Sequence, residues 1–291
     1  MKKIGLLFLA CFASLCSGLL AAQNIDFGRG EILVSAPADH AEQGELPLIV
    51  LLHGYTSSGN RQNTYMGFGS LVEEYDFLMV APDGTQESAG NQSRFWNASE
   101  ACCNFYSSEV DDVAYIKSII DGMKARYSVD DSRVYLVGHS NGGFMSYRMA
   151  YEHSEDIAAI ASLAGASHID NREAPSDGVN ILQIHGTADG TIDYQGGDIR
   201  DNRYPSAMRT VQQWAGYNGC ESSGKARELR DLDASLAGYE TGVLKFEVGC
   251  RPGGSSELWT ISAGAHVPTL SDSFAEQVVE WLYAHPKASG D

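Results

Sequence analysis

Residues Arg133–Gly143 read R-V-Y-L-V-G-H-S-N-G-G. Val134 to Val137 is an unbroken apolar run, the pattern of a strand buried on both faces of a parallel sheet. Gly138-His139-Ser140-Asn141-Gly142 follows at once and fits G-x-S-x-G, a strand-to-helix turn that carries a serine at its tip. Such a turn holds the serine at backbone angles an L-residue resists. Glycines on either side remove the Cβ atoms that would collide where the chains pass. The helix after the turn aims its free N–H groups and positive end at the serine. A pentapeptide of this kind also arises by chance, so the rest of the chain has to decide what it means.

Working outward, apolar runs bounded by turn residues alternate with segments of helical periodicity. Ile32–Val34, Leu46–Leu52 and Phe77–Ala81 read as strands. Val113, Ile116, Ile120, Met123 and Tyr127 keep helical spacing into the Arg133 strand. A helix over Asn141–Glu152 follows, then an apolar run Ile157–Ala164 and a strand Val179–Ile184. Ser206–Gly216 reads as helix, and Val243–Val248 and Leu258–Ile261 read as strands. A closing amphipathic helix carries Phe274, Val278, Trp281 and Leu282, with Ser273 and Glu276 spaced as a capping box. This alternation predicts an α/β protein with a mostly parallel central sheet and helices on both faces. Two polar stretches, Thr85–Glu109 and Gly190–Tyr204, are too long for simple connections and fall near the sheet's C-terminal edge, where ligands bind in open α/β sheets.

The 291 residues, 43% of them hydrophobic, suffice for a sizeable core. Lys2 and Lys3 precede an apolar stretch that ends in Ala21-Ala22, so residues 1–22 read as a cleaved signal peptide. Ser14, Ser17 and Gly18 interrupt the stretch and argue against a membrane anchor. The expected protein is secreted or periplasmic, with residues 23–291 as one catalytic domain, since no linker, repeat or low-complexity tract divides them. The formal net charge of −18 becomes about −20 without Lys2 and Lys3. So acidic a chain repels nucleic acid and anionic membrane, and neither is expected as a partner.

Four cysteines follow the signal segment: Cys102, Cys103, Cys220 and Cys250. Export permits disulfides, and four cysteines allow three connectivities. Cys220 and Cys250 flank a polar segment they are placed to staple. The adjacent Cys102 and Cys103 either bridge each other or pair elsewhere. No spacing resembles a zinc site, and the Asp-rich Asp189–Asp201 loop lacks the calcium-loop pattern. No metal and no cofactor is expected.

A serine nucleophile needs a base, and the base needs an orienting carboxylate. In the α/β-hydrolase arrangement these arrive in the order Ser, Asp, His, each just past the end of a strand. Of eight histidines, only His266 follows the final strand and precedes the final helix. His139 adjoins the serine and would point away from it. His53 and His185 each precede a glycine at a strand end and suit a backbone-shaping role. Asp189, flanked by Gly190 and nearer its strand end, is favoured over Asp193 as the acid. The oxyanion of a tetrahedral intermediate needs two donors. The backbone N–H of Asn141 is one, and the N–H of Tyr55 in His53-Gly54-Tyr55 is the expected second.

With these residues in place the chain resembles a known family. H-G-Y-T-S-S-G, W-N-A-S-E-A-C-C ahead of V-D-D-V, R-V-Y-L-V-G-H-S-N-G-G, H-G-T-A-D-G and a late G-A-H are similar to the secreted polyhydroxybutyrate depolymerase and feruloyl esterase family. The similarity covers essentially all of the chain beyond the signal segment. It implies an α/β-hydrolase fold, Ser140, Asp189 and His266 as a triad, and a Cys220–Cys250 bridge. One departure stands out. Polymer-degrading members tend to carry Trp-Pro after the histidine, whereas His266 here precedes Val267-Pro268.

The implied activity is cleavage of carboxylic esters through an acyl-enzyme on Ser140, with hydroxyalkanoate oligomers or polyester as substrates. Feruloyl or acetyl-xylan esters of plant polysaccharides are the alternative, and transfer to an acceptor other than water is a third. A non-catalytic binding module is the competitor from another class. Phe95 and Trp96, in the long loop with Phe105 and Tyr106, either stack on the substrate or pack the loop on the core. Trp214, Trp259 and Trp281 are expected in the core.

Overall fold

The computed structural model describes residues 21–288. The segment read as a signal peptide lies outside them except for Ala21 and Ala22, which begin the first strand.

Ten strands form one sheet: β1 (Ala21–Asp26), β2 (Glu31–Ala36), β3 (Leu46–Leu52), β4 (Leu78–Val80), β5 (Val129–His139), β6 (Ala159–Leu163), β7 (Asn180–Gly186), β8 (Lys225–Arg230), β9 (Thr241–Phe246) and β10 (Ser255–Ile261). Their order is β1-β2-β4-β3-β5-β6-β7-β10-β9-β8. The six from β4 to β10 run parallel, and antiparallel strands close both edges. The apolar runs explain the layering. Along β3, Leu48, Val50 and Leu52 enter one core, while Ile49 and Leu51 enter the other. β5 splits the same way, with Val134 and Leu136 on one face and Tyr135 and Val137 on the opposite face. A strand buried on both sides has no polar face to show, which is why these runs lack alternation.

Helices cover both faces. α3 (Asp112–Lys124), α4 (Asn141–Glu152) and α5 (Ala207–Tyr217) pack on the Leu48 side through Ile116, Phe144 and Trp214. α1 (Gly59–Met66), the short α2 (Val72–Tyr75) and α6 (Phe274–Tyr283) pack on the Ile49 side through Met66, Val72, Phe274 and Val278. Trp214, Trp259 and Trp281 are buried as expected. The indole N–H groups of Trp259 and Trp281 both donate to the buried Glu257 carboxylate, so neither is left unmade.

Three local features differ from the sequence reading. β8 reads K-A-R-E-L-R and lies exposed at the sheet's edge, so its charge hides it from apolar patterning while guarding the edge against further pairing. The capping box at α6 does not form. Ser273 makes no side-chain cap, and its Oγ instead accepts from Gln277 Nε2 at 3.0 Å. α1 was not legible as a helix, although Ser58 caps it by accepting from Arg61 N.

A disulfide joins Cys220 and Cys250, in agreement with the implied bridge, and Cys102 bonds to Cys103 as a vicinal pair. Among the described residues no helix is long and apolar enough to cross a membrane.

Candidate active site

Ser140 sits where β5 turns into α4, at φ 53° and ψ −119°, in the strained region foreseen from its flanking glycines. The crossing is as tight as the sequence implies. A Cβ on Gly138 would fall 2.2 Å from Gly142 O, and one on Gly142 would fall 2.2 Å from Leu52 O. Ser140 N donates to Leu163 O at 2.8 Å, which ties the turn to the end of β6.

Three residues from three strand ends meet here. Ser140 Oγ lies 2.9 Å from His266 Nε2, and His266 Nδ1 lies 2.8 Å from Asp189 Oδ2. The carboxylate opposite Nδ1 makes that nitrogen the protonated one and leaves Nε2 to accept from the serine hydroxyl. Asp189 is buried, and its Oδ1 accepts from Thr191 N at 2.8 Å and Ile192 N at 2.9 Å. Burial pushes the Asp189 carboxyl up, but the bonds from His185 and His266 outweigh it and hold the group well below the usual carboxylate range. Asp193 is exposed and accepts only from Gln195 N through its Oδ1, outside the cluster.

The other histidines divide by partner. His53 Nδ1 donates to Gly54 O at 2.7 Å, and its Nε2 accepts from Gly84 N at 2.8 Å. It shapes the backbone, as expected. His139 Nε2 donates to His266 O at 2.9 Å, and burial lowers its pKa to about 4, so it is a neutral prop beneath His266. His185 does more than expected: its Nε2 lies 2.8 Å from Ile192 O and 3.2 Å from Asp189 Oδ2.

Gly54 lies against the serine, since a Cβ built on it would stand 3.4 Å from Ser140 Cβ. Among the described residues, no hydrogen bond engages the N–H of Tyr55 or of Asn141. The Asn141 side chain is occupied elsewhere, accepting from Trp96 N at 2.6 Å and donating to Trp96 O at 2.9 Å.

Phe95 and Trp96 are corrected by the structure. Both are fully buried, and Trp96 Nε1 donates to His53 O at 3.0 Å. A buried indole N–H must find an acceptor, and this one pins the long loop to the core instead of facing a substrate. Phe105 is half-buried and meets Tyr55 edge-on at 5.1 Å, and Tyr106 is exposed.

The open cleft at Ser140 has a volume of about 390 Å³ and is lined by Gly54, Tyr55, Ser57, Arg61, Gln62, Tyr65, His139, His266 and Val267. Arg61, Gln62 and Tyr65 come from α1, which the sequence reading missed. Its eight residues, G-N-R-Q-N-T-Y-M, have too few apolar positions to show a period, and the Ser58 cap was the one available signal. The cluster His153, Glu155 and Asp156 has the residue types for a cation. Lys117 and Lys124 already approach Asp156 within 3.4 and 3.5 Å, and no independent feature marks a metal there.

A parallel sheet flanked by helices, with a serine at a strained turn and an Asp and a His at later strand ends, defines an α/β-hydrolase. The chain belongs to the phospholipase/carboxylesterase family, whose model matches residues 35–239. It is 30% identical over 165 residues to the bifunctional acetylxylan esterase/xylanase XynS20E of Neocallimastix patriciarum, matching 57% of this chain and 22% of that protein. It is 29% identical over 169 residues to poly(3-hydroxyalkanoate) depolymerase C of Paucimonas lemoignei, matching 56% of this chain and 38% of the relative. The chain therefore spans well under half the length of these two curated relatives. Its fold is similar to that of an acetyl xylan esterase from Aspergillus awamori, with a TM-score of 0.66 at 17% identity over 90% of this chain and 99% of the other.

Proposed function

We propose that this protein is a secreted serine ester hydrolase that cleaves carboxylic esters of hydroxyalkanoate oligomers or polyester through an acyl-enzyme. The observation that carries the reading is the line of contacts from Ser140 Oγ to His266 at 2.9 Å and from His266 to Asp189 at 2.8 Å. Residues 23–291 act as one catalytic domain. The apolar segment 1–22 and the Cys220–Cys250 bridge support export.

In this mechanism His266 Nε2 takes the Ser140 proton as Oγ attacks the ester carbonyl. Negative charge develops on the carbonyl oxygen, where the N–H groups of Asn141 and Tyr55 receive it. Losing one such donor typically costs 10²–10³ in rate. Collapse expels the alcohol, which leaves with the proton from His266. A water molecule then repeats the sequence and releases the acid. Asp189 stays ionised throughout, holding the imidazole and stabilising its charge.

The second reading is an acetyl-xylan or feruloyl esterase, favoured by the 30% identity to the acetylxylan esterase/xylanase. Hydrolysis of a hydroxybutyrate trimer, methyl ferulate and p-nitrophenyl acetate by the purified protein, with Ser140→Ala as blank, separates the readings. Turnover concentrated on the trimer supports the first, and turnover concentrated on the ferulate supports the second. No turnover above the blank overturns both and leaves a non-catalytic binding module.

A further inference from the structure

Most of the polar side chains around Ser140 have partners within the protein. The Tyr55 hydroxyl donates to Glu87 Oε1 at 2.5 Å, and the Tyr65 hydroxyl donates to Pro268 O at 3.0 Å. Gln62 Oε1 accepts from Gly54 N at 3.2 Å while its Nε2 is buried without a partner, and His139 is engaged with His266 O. Arg61 is the one permanently charged side chain lining the cleft. It is exposed, and among the described residues its guanidinium has no hydrogen-bond or ion-pair partner.

Two facts make a free cation here unexpected on stability grounds. The chain carries 38 acidic against 20 basic side chains, so an unpaired arginine is a scarce charge. Arg61 is also the third residue of α1, in the first turn, where the helix's positive end disfavours a cation. The register of α1 nevertheless brings Arg61, Gln62 and Tyr65 to the cleft at Ser140, since Tyr65 stands four positions after Arg61 and three after Gln62, the spacings that share a helix face. A guanidinium presents a planar fork of donors that matches a carboxylate in two parallel bonds.

From this accounting we infer that Arg61 is a specificity residue that binds a carboxylate on the substrate. The favoured ester then has a free acid group beside the scissile bond, as a short hydroxy-acid oligomer has at its acid terminus. This rests on the hydrolase reading above and narrows it. A neutral acetyl ester offers Arg61 nothing to bind. In an acidic protein the residue also offsets the repulsion an anionic substrate meets on approach.

The test compares kcat/KM for the 3-hydroxybutyrate dimer as free acid and as methyl ester, in the wild type, Arg61→Gln and Arg61→Lys. The same comparison is made for 4-acetoxybenzoate against methyl 4-acetoxybenzoate, which also carry the acid or its ester on the leaving alcohol. The ratio of acid to neutral ester is the readout, so each variant supplies its own reference. About a tenfold preference for the acid is expected at low salt, shrinking as ionic strength rises. Arg61→Gln brings the ratio to about one, and Arg61→Lys keeps part of it. If the dimer esters are not cleaved but the acetoxybenzoate pair shows the Arg61-dependent ratio, the substrate reading fails and the carboxylate site stands. A ratio that is the same in wild type and Arg61→Gln for every pair cleaved overturns the inference, as does a wild type that prefers the neutral esters.

Discussion

His185 Nε2 lies 3.2 Å from Asp189 Oδ2, the oxygen that His266 Nδ1 approaches at 2.8 Å. Two imidazoles thus share one carboxylate oxygen. The tautomer of His185 is set from behind. The Tyr147 hydroxyl donates to Gln183 Oε1 at 2.7 Å, which turns Gln183 Nε2 toward Gly165 O and toward His185 Nδ1 at 3.1 Å. Nδ1 therefore accepts, and Nε2 carries the proton that faces Ile192 O and Asp189.

A second donor on Oδ2 makes Asp189 less basic, and so a weaker partner for the His266 imidazolium. His185→Leu removes that donor, and the acid limb of the kcat/KM–pH profile is expected to move to higher pH. His185→Gln, which retains an N–H, should lie nearer the wild type. A purely structural role for His185 would lower activity without moving the limb.

His139 links the site to stability. Burial lowers its pKa from 6.5 to about 4 in the folded protein. Between those values the unfolded chain binds a proton that the folded chain refuses. Stability is therefore full above about pH 6.5, falls as pH drops toward 4, and loses no more from this group below that. The loss is about 3 kcal/mol. His139→Gln keeps a donor for His266 O without titrating, so urea unfolding at pH 7 and pH 4.5 should show a smaller difference than in wild type.

Gly142→Ala tests the tight crossing. Its Cβ would meet Leu52 O at 2.2 Å, and the collision is with backbone that cannot rotate away. A loss of about 3 kcal/mol or more is expected in denaturant unfolding, at the upper end for overpacking. Unchanged stability would contradict the geometry.

The Cys220–Cys250 bridge spans 30 residues of chain around β8 and β9. Closing a loop of that size in the unfolded chain is worth about 3–4 kcal/mol. Replacing both cysteines with serine should lower the unfolding free energy by roughly that amount. The bridge lies away from the Ser140 cleft, so kcat on a small ester should hardly change.

The sequence was most legible where burial leaves no choice of residue. β3 and β5 are apolar on both faces, and Gly138 and Gly142 stand where no Cβ fits. Ser140, Asp189 and His266 could be singled out as candidates because each follows a strand that could be read. α1 and β8 were not legible, one too polar to show a period and the other charged along a sheet edge. The dipeptide His-Gly was ambiguous for another reason. His53-Gly54 and His185-Gly186 look alike in sequence, yet one ring holds backbone and the other reaches the carboxylate. Phe95 and Trp96 show the same limit, because an aromatic pair in a long loop has the same composition whether it faces a ligand or the core.

Ser140, as the proposed nucleophile, is open to covalent trapping. The purified protein is treated with a fluorophosphonate, and the intact mass and the modified peptide are read by mass spectrometry. One adduct per chain is expected, on Ser140, formed far more slowly in His266→Ala and absent from Ser140→Ala. An adduct that persists in Ser140→Ala, or a wild type that takes none, would contradict that role.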